Sequence, residues 1–454
     1  LNNTKVQSSS HTPLGMKKIN SLYGQFSFSY DDMMYLDLTA RNDWSSTLSQ
    51  NNRSYFYPSV SYSLLVNRFL DPNKEVFDML KLRASWAEVG NDTDVYQLYQ
   101  TFSVPQEGYL GLTVLNGPSV KLNPDLKPES VKSTELGMEF NMFKNRIYGD
   151  MSVYKIVTND MIYNVPVPFS TGFSYFKENI GEVQNKGIEV MLGGVPVRTE
   201  KFKWDVSVNF SKNKNKLVSL IDGLDYTTLN SLLGLSVRAS VGGGIGDMYG
   251  TVWATDENGN KLVTVDGYPV ASSEKEYLGN AQPDWIGGLT NTLTYNNWNL
   301  RFLIDARFGG EIFSATSSYL DAAGVSQRSL QYRQDGVVID AVNQETGEPN
   351  TEAITAQQYW GSYSGITENY IYDQTNVRLR EFALTYRLPS DMISHVGLNS
   401  ASVGLVGRNL FFLYKAADDI DPDASIGTGL SGQGISLNNA PTISSLGLNV
   451  NIKF

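Results

Sequence analysis

The sequence predicts an all-β protein, an antiparallel transmembrane β-barrel wall of about thirteen strands. Three observations lead there: long segments alternate apolar and polar residues with period two, the connectors between them alternate short and long, and the composition is rich in aromatic residues and turn formers.

Of the 454 residues 12% are aromatic, with 26 Tyr, 20 Phe and 7 Trp beside 40 Gly. Such a composition suits strands and tight turns. No apolar run reaches the roughly 18 residues that a membrane-spanning helix needs, which leaves a barrel open because its strands are apolar on one face only. With no Cys there is neither a disulfide framework nor thiolate chemistry. A net charge of −11 gives nucleic-acid binding no electrostatic support. His11 and His395 lie far apart without a metal-ligand or triad pattern, so no enzyme and no metal centre is expected. No Pro/Ser linker, charge run or compositional switch divides the chain, and residues 1–454 read as one architecture. Leu1–Asn20 carries no signal-peptide pattern, so the chain is expected to begin inside a longer precursor.

The alternation is clearest at the end, where Leu446, Leu448, Val450, Ile452 and Phe454 share one face and Gly447, Asn449, Asn451 and Lys453 the other. It recurs in Phe26/Phe28/Tyr30, Leu36/Leu38/Ala40, Leu80/Leu82/Ala84/Trp86, Leu136/Met138/Phe140/Met142, Trp204/Val206/Val208/Phe210, Leu300/Phe302/Ile304/Ala306 and Phe382/Leu384/Tyr386. The intervening positions carry too much charge for a dry core. Segments of roughly ten residues fit a tilted strand that crosses a bilayer, with the charged face on a wet lumen and the apolar face on lipid. Asp305 is expected to join Arg301 or Arg307 in a charge ladder on the lumen wall.

Strands are placed near 20–30, 33–43, 57–66, 79–89, 132–142, 146–156, 186–195, 202–212, 284–295, 298–308, 375–388, 401–412 and 442–454. The connectors at 31–32, 67–78, 144–145, 196–201, 296–297 and 389–400 are then short, and long loops fall near 90–131, 157–185, 213–283, 309–374 and 413–441. Short periplasmic turns opposite long extracellular loops are the pattern of an outer-membrane barrel. An odd strand count cannot close a bacterial barrel, so an N-terminal portion is expected elsewhere.

A more specific likeness lies in nine strings: LTARNDWSS (38–46), YPSVSYSL (57–64), LKLRASWAEVGND (80–92), LNPDLKPESVKSTELGMEF (122–140), NIGEVQNKGIEVML (179–192), KWDVSVNFSKNKNKL (203–217), NVRLREFALTYRLP (376–389), GRNLFF (407–412) and the terminal PTISSLGLNVNIKF. In this order they resemble the C-terminal part of the barrel of SusC/RagA-type TonB-dependent transporters from Bacteroidota. The resemblance implies a barrel of about 22 strands, a plug domain outside this chain, and a Gram-negative outer-membrane location. It further implies TonB-coupled import of large ligands, chiefly oligosaccharides, under a SusD-like surface lipoprotein. Expected partners are that lipoprotein, the TonB complex, the N-terminal barrel and plug portion, and the lipid bilayer. A peptide importer of the same family, a passive porin-type barrel and a secreted soluble β protein are the alternatives.

Loop aromatics supply the substrate-binding candidates. Tyr249 and Trp253 lie in one loop, Tyr359, Trp360 and Tyr363 in another, with Tyr370 and Tyr372 following. Exposed aromatic faces suit sugar rings; a membrane-interface belt or packing between loops is the competing reading. Leu448, Val450, Ile452 and Phe454 resemble the terminal assembly signal of bacterial barrels. Asp418, Asp419, Asp421 and Asp423 lack the spacing of a calcium loop, so no cofactor is assigned and a surface Ca2+ is left open. Asn258-Gly259 and Asp266-Gly267 read as hairpin turns, and Gly242-Gly243-Gly244 as a loop without phosphate-cradle context.

Overall fold

The computed structural model describes residues 14–71, 75–105, 109–110, 112–427, 429 and 432–454; His11 lies outside them. The wall strands are β1 (Ile19–Tyr30), β2 (Met34–Ser45), β3 (Ser54–Leu65), β4 (Phe77–Asn91), β5 (Glu129–Met142), β6 (Ile147–Pro166) and β7 (Tyr175–Arg198). The remainder are β8 (Phe202–Ser219), β9 (Trp285–Tyr295), β10 (Trp298–Phe308), β11 (Asn376–Arg387), β12 (Ser400–Lys415) and β13 (Ser445–Lys453). They pair antiparallel in sequence order as one sheet, and every strand placed from the sequence is found. Among the described residues β1 and β13 remain its two open edges, so the wall is an arc.

Period-two alternation becomes a continuous surface because the register keeps like with like. One row of cross-strand partners runs Tyr30, Met34, Leu64, Leu82, Met138, Met151, Val190, Phe210, Gly287, Ala306, Val377 and Tyr414, with no polar side chain over twelve strands except the tyrosine hydroxyls at its ends. The opposite face holds ion pairs such as Arg83–Asp150, Lys203–Asp205 at 2.9 Å and Arg301–Glu381 at 3.8 Å. A one-residue slip would invert both faces, so burying one in lipid pins the register.

Two aromatic clusters bracket the apolar face. At one end Phe210, Trp285 and Phe308 pack together, with centroids 5.8 and 5.4 Å apart; at the other Trp298 meets Tyr386 at 4.7 Å, beside Tyr295. Aromatic girdles of this kind sit at the two membrane interfaces of a barrel.

The turns at 31–33, 66–76, 143–146, 199–201, 296–297 and 388–399 all fall at one end, and the exposed His395 lies in the last of them. Asp31 and Asp32 take positive φ values of 48° and 46°, as a tight hairpin matched to strand twist requires. The long connectors 92–128, 220–284, 309–375 and 416–444 fall at the other end.

Two expectations need correction. Residues 157–185 are not a long loop: β6 and β7 continue through them as a paired ribbon, leaving only 167–174 as the turn. The alternation breaks phase there because Asp160 and Gly181 both adopt left-handed backbone, with φ of 55° and 64°. Asp305 pairs with neither Arg301 nor Arg307. A bulge in β11 frees Arg380, whose guanidinium reaches Asp305 and, at 3.1 Å, Asp423.

Candidate functional site

Three of the long loops fold together rather than standing apart. Glu311–Ser314, entering from β10, pairs antiparallel with Ile371–Asp373 and parallel with Ile435–Ser436 from the β12–β13 connector. Leu235, Val237, Met248 and Ala281 of the first loop then share a core with Phe313, Ala315 and Tyr370 of the second and Ile435 of the third. A four-stranded sheet, Tyr226–Leu232, Leu235–Ser240, Ile245–Gly250 and Glu276–Asn280, forms the body of the first loop. It leans on β7 and β8 through Ala239, Val183 and Leu217.

A second core explains most of the loop aromatics. Trp253, Val263, Ile339, Ala341, Ile354 and Ile366 are buried together, with Tyr359 and Tyr363 packed against them. The helix Ala356–Tyr363 begins at a capping box in which Thr355 and Gln358 satisfy one another's backbone N–H groups. It presents Tyr359, Trp360 and Tyr363 inward: Tyr359 stacks on Tyr363 at 5.3 Å, and Trp253 meets Tyr363 edge-on at 6.0 Å. The Trp253 indole N–H donates to the Leu262 carbonyl at 2.8 Å. Buried Asp321 takes the Tyr370 hydroxyl at 2.8 Å and pairs with Arg328, whose guanidinium lies 4.9 Å over the Tyr370 ring. Burial pushes the Tyr359 and Tyr363 hydroxyls above their ordinary pKa.

Four of the five aromatic candidates are therefore brought together, but as a core. Trp253 and Trp360 are only 6% and 5% exposed, so neither is an exposed sugar platform; packing between loops is what the aromatic residues do here. The signal for this, a Thr-x-x-Gln cap ahead of aromatic residues at helical spacing, is present in residues 355–363.

Tyr249 is placed differently. Strand pairing sets it opposite Tyr277, with ring centroids 5.7 Å apart, and the Arg238 guanidinium lies 4.4 Å over its ring. Together with Asp247, Asn280, Gln282 and Asn215, the two tyrosines line an open cavity of about 620 Å³ beside the upper part of β8. Buried Asp247 accepts hydrogen bonds from the Asn280 amide at 2.7 Å and the Gly244 N–H at 3.2 Å. Desolvation nonetheless raises its pKa, and does the same for Glu311, which accepts the Asn280 N–H at 2.7 Å. Gly242–Gly244 is a defined turn tied to β8, with the Gly242 N–H donating to the Leu217 carbonyl at 2.8 Å. Arg238 and Tyr277 were not anticipated, because only strand pairing brings them to Tyr249.

The remaining candidates are located as follows. Gly259 and Gly267 take the positive φ that their hairpin turns need, 83° and 80°. In the acidic segment Asp421 accepts from the Thr442 N–H at 2.8 Å, and Asp423 faces Arg378 and Arg380; Asp418 and Asp419 are exposed. Leu448 and Val450 pair with Leu405 and Val403, which continues the apolar face, Ile452 pairs with Ala401, and Phe454 lies exposed just beyond β13.

Comparison with known proteins agrees with this architecture. Residues 3–410 match the family model described as TonB dependent receptor-like, beta-barrel. TonB-dependent receptor P26 of Formosa agariphila is 29% identical over 96% of this chain and 46% of its own length. TonB-dependent receptor SusC of Bacteroides thetaiotaomicron is 27% identical over 64% of this chain and 31% of its own length. The solved RagAB peptide transporter shares the fold, with a TM-score of 0.75 at 21% identity over 96% of this chain and 47% of that one. The chain thus spans less than half the length of these relatives. With the open arc of strands, the apolar face between aromatic girdles and the family match in agreement, this chain belongs to the TonB-dependent receptor-like β-barrel family of the Gram-negative outer membrane.

Proposed function

We propose that the chain forms the C-terminal part of the wall of an active nutrient importer that takes up large ligands, oligosaccharides in the first instance. The single observation that carries this is the family match over residues 3–410. The long-loop end faces outward, following the turn-and-loop asymmetry of outer-membrane barrels. A SusD-like lipoprotein closes over the loops, and energy comes from TonB through the portion of the protein upstream of this chain. The chain carries out no catalysis; its task is selective passage.

The substrate surface we assign is the cavity at Tyr249, with Tyr277 and Arg238 beside it. Two tyrosine faces and the amides of Asn280 and Gln282 offer apolar patches and hydrogen bonds in the combination that a sugar ring needs. Beneath it a recess of about 730 Å³, whose lining includes Arg83, Asp150, Tyr154, Asn185 and Glu189 beside Ile156 and Met191, continues along the wall. A peptide ligand is the second reading, favoured by the shared fold with a peptide transporter.

The test uses the full-length protein with its lipoprotein partner, titrated with oligosaccharides and with peptide mixtures. Tyr249→Ala is expected to weaken oligosaccharide binding roughly tenfold. Binding of peptides alone would transfer the assignment to the peptide reading. Uptake that persists in cells lacking TonB would instead point to a passive barrel.

A further inference from the structure

The outward face of β6, β7 and β8 carries a cluster of cations, whose members on β8, Lys212, Lys214 and Lys216, also border the cavity at Tyr249. Lys155 lies directly opposite Lys186, and Lys186 directly opposite Lys214, so three lysines form one row across three strands. Lys212 and Lys216 flank Lys214 on the same face of β8. All five are exposed, and among the described residues none has a carboxylate within 4.0 Å. The chain as a whole is acidic, at −11. Like charges set opposite one another weaken a sheet, so the row lowers stability in the isolated wall and calls for an anion.

Its height on the wall identifies that anion. Immediately below, on the same face, come Val153, Ile188, Val190 and the girdle residue Phe210, two positions before Lys212. Phe210 packs on Trp285, which marks the interface at the long-loop end. The lysines thus begin about 7 Å along the strand above the girdle, at headgroup depth and facing lipid. The neighbouring cation Lys132 is already engaged, 3.8 Å from Glu88.

We propose that Lys155, Lys186 and Lys214, with Lys212 and Lys216, bind the phosphate groups of the phosphorylated glycolipid in the outer leaflet. Compact ammonium groups on flexible stems suit phosphates of variable position, and lipid-facing attachment neutralises the opposed charges. The proposal rests on the long loops facing outward, and Lys155 and Lys186, which do not border the Tyr249 cavity, set it apart from the substrate reading.

Native mass spectrometry of the detergent-solubilised full-length protein, titrated with bisphosphorylated lipid A and with the same lipid stripped of phosphate, reads the site directly. The wild type is expected to retain the bisphosphorylated lipid and to discriminate against the stripped one. The Lys155→Gln/Lys186→Gln/Lys214→Gln variant should lose roughly a hundredfold in affinity, and the corresponding triple arginine variant should keep it. If the triple variant does not yield the heat-modifiable folded form, Lys186→Gln alone, expected to lose about fivefold, carries the test. Equal retention by wild type and variant, or of both lipids, overturns the proposal. Displacement by millimolar inorganic phosphate also overturns it, in favour of a free-anion site. Loss of nutrient uptake is not read in this assay, so failure of the importer assignment would leave its outcome unchanged.

Discussion

Ile304→Arg tests which face of the wall meets lipid. Along β10, Trp298 lies in one girdle and Phe308 in the other, with Ile304 on the apolar face between them. At about 3.3 Å per residue and a strand tilt near 40°, the ten steps from Trp298 to Phe308 rise about 25 Å, the height of an outer-membrane apolar band. Ile304 is six steps above Trp298, which puts it within about 3 Å of the midplane. An arginine there should cost about 2–4 kcal/mol. The matched control is Leu303→Arg, one residue away on the other face and opposite Glu381, where the new cation gains water and a carboxylate. Its cost should stay below about 1 kcal/mol. Urea unfolding of the full-length protein in phospholipid vesicles, followed by gel mobility before and after boiling, measures both. A neutral Ile304→Arg beside a costly Leu303→Arg would mean that the faces are reversed, and the reasoning about lumen and lipid would fall with it.

Phe454→Asp puts a charge at the end of the apolar register, and outer-membrane levels of the full-length protein should drop sharply; normal levels would argue against the terminal strand as an assembly signal. Trp360→Ala removes a buried ring that packs on Tyr359 and Tyr363 beside the second loop core and should cost that loop body about 3–5 kcal/mol. Limited proteolysis within 309–375 should then become rapid while the wall stays heat-modifiable, and unchanged protection would refute the core assignment. Burial raises the Asp247 pKa, so the folded loop binds that proton more tightly than the unfolded chain does. Its stabilising effect is full below the ordinary aspartate pKa and is lost as pH rises through the raised folded value. Hydrogen exchange across Ile245–Gly250 should therefore quicken over that window beyond its intrinsic pH dependence, and Asp247→Asn should flatten the trend; a slope of opposite sign would contradict it.

The wall was legible because its cause is local. A strand between lipid and water must alternate, so Leu300, Phe302, Ile304 and Ala306 announce β10 without reference to any other part of the chain. What escaped notice depends on features that alternation does not carry. Left-handed backbone at Asp160 and Gly181 shifts the phase of β6 and β7, so a continuous ribbon reads as a loop. The bulge at Arg380 gives Asp305 a partner that regular strand spacing withholds. Partners distant in sequence were harder still: the neighbours that bury Trp253 include Ile339, Ala341, Ile354 and Ile366 from another loop.

That burial changes what the loop aromatics can mean for selectivity. Aromatic richness in long loops suggests sugar platforms only while each ring is counted as exposed, and Trp253 and Trp360 are not. The Trp253 ring packs into the neighbouring loop and the Trp360 ring packs within its own, while the shared core of Met248, Phe313, Tyr370 and Ile435 ties three loops into one body. Lifting the 309–375 loop alone would expose Phe313 and Tyr370 and break the parallel pairing of Glu311–Ser314 with Ile435–Ser436. Exposing two large aromatic side chains costs several kcal/mol at about 25 cal/mol per Å². The loops therefore move together or stay put. Ligand discrimination then falls to what that body displays, Tyr277 at 57% exposure beside Tyr249 and Arg238, and a survey of substrates should begin with variants there rather than at the tryptophans.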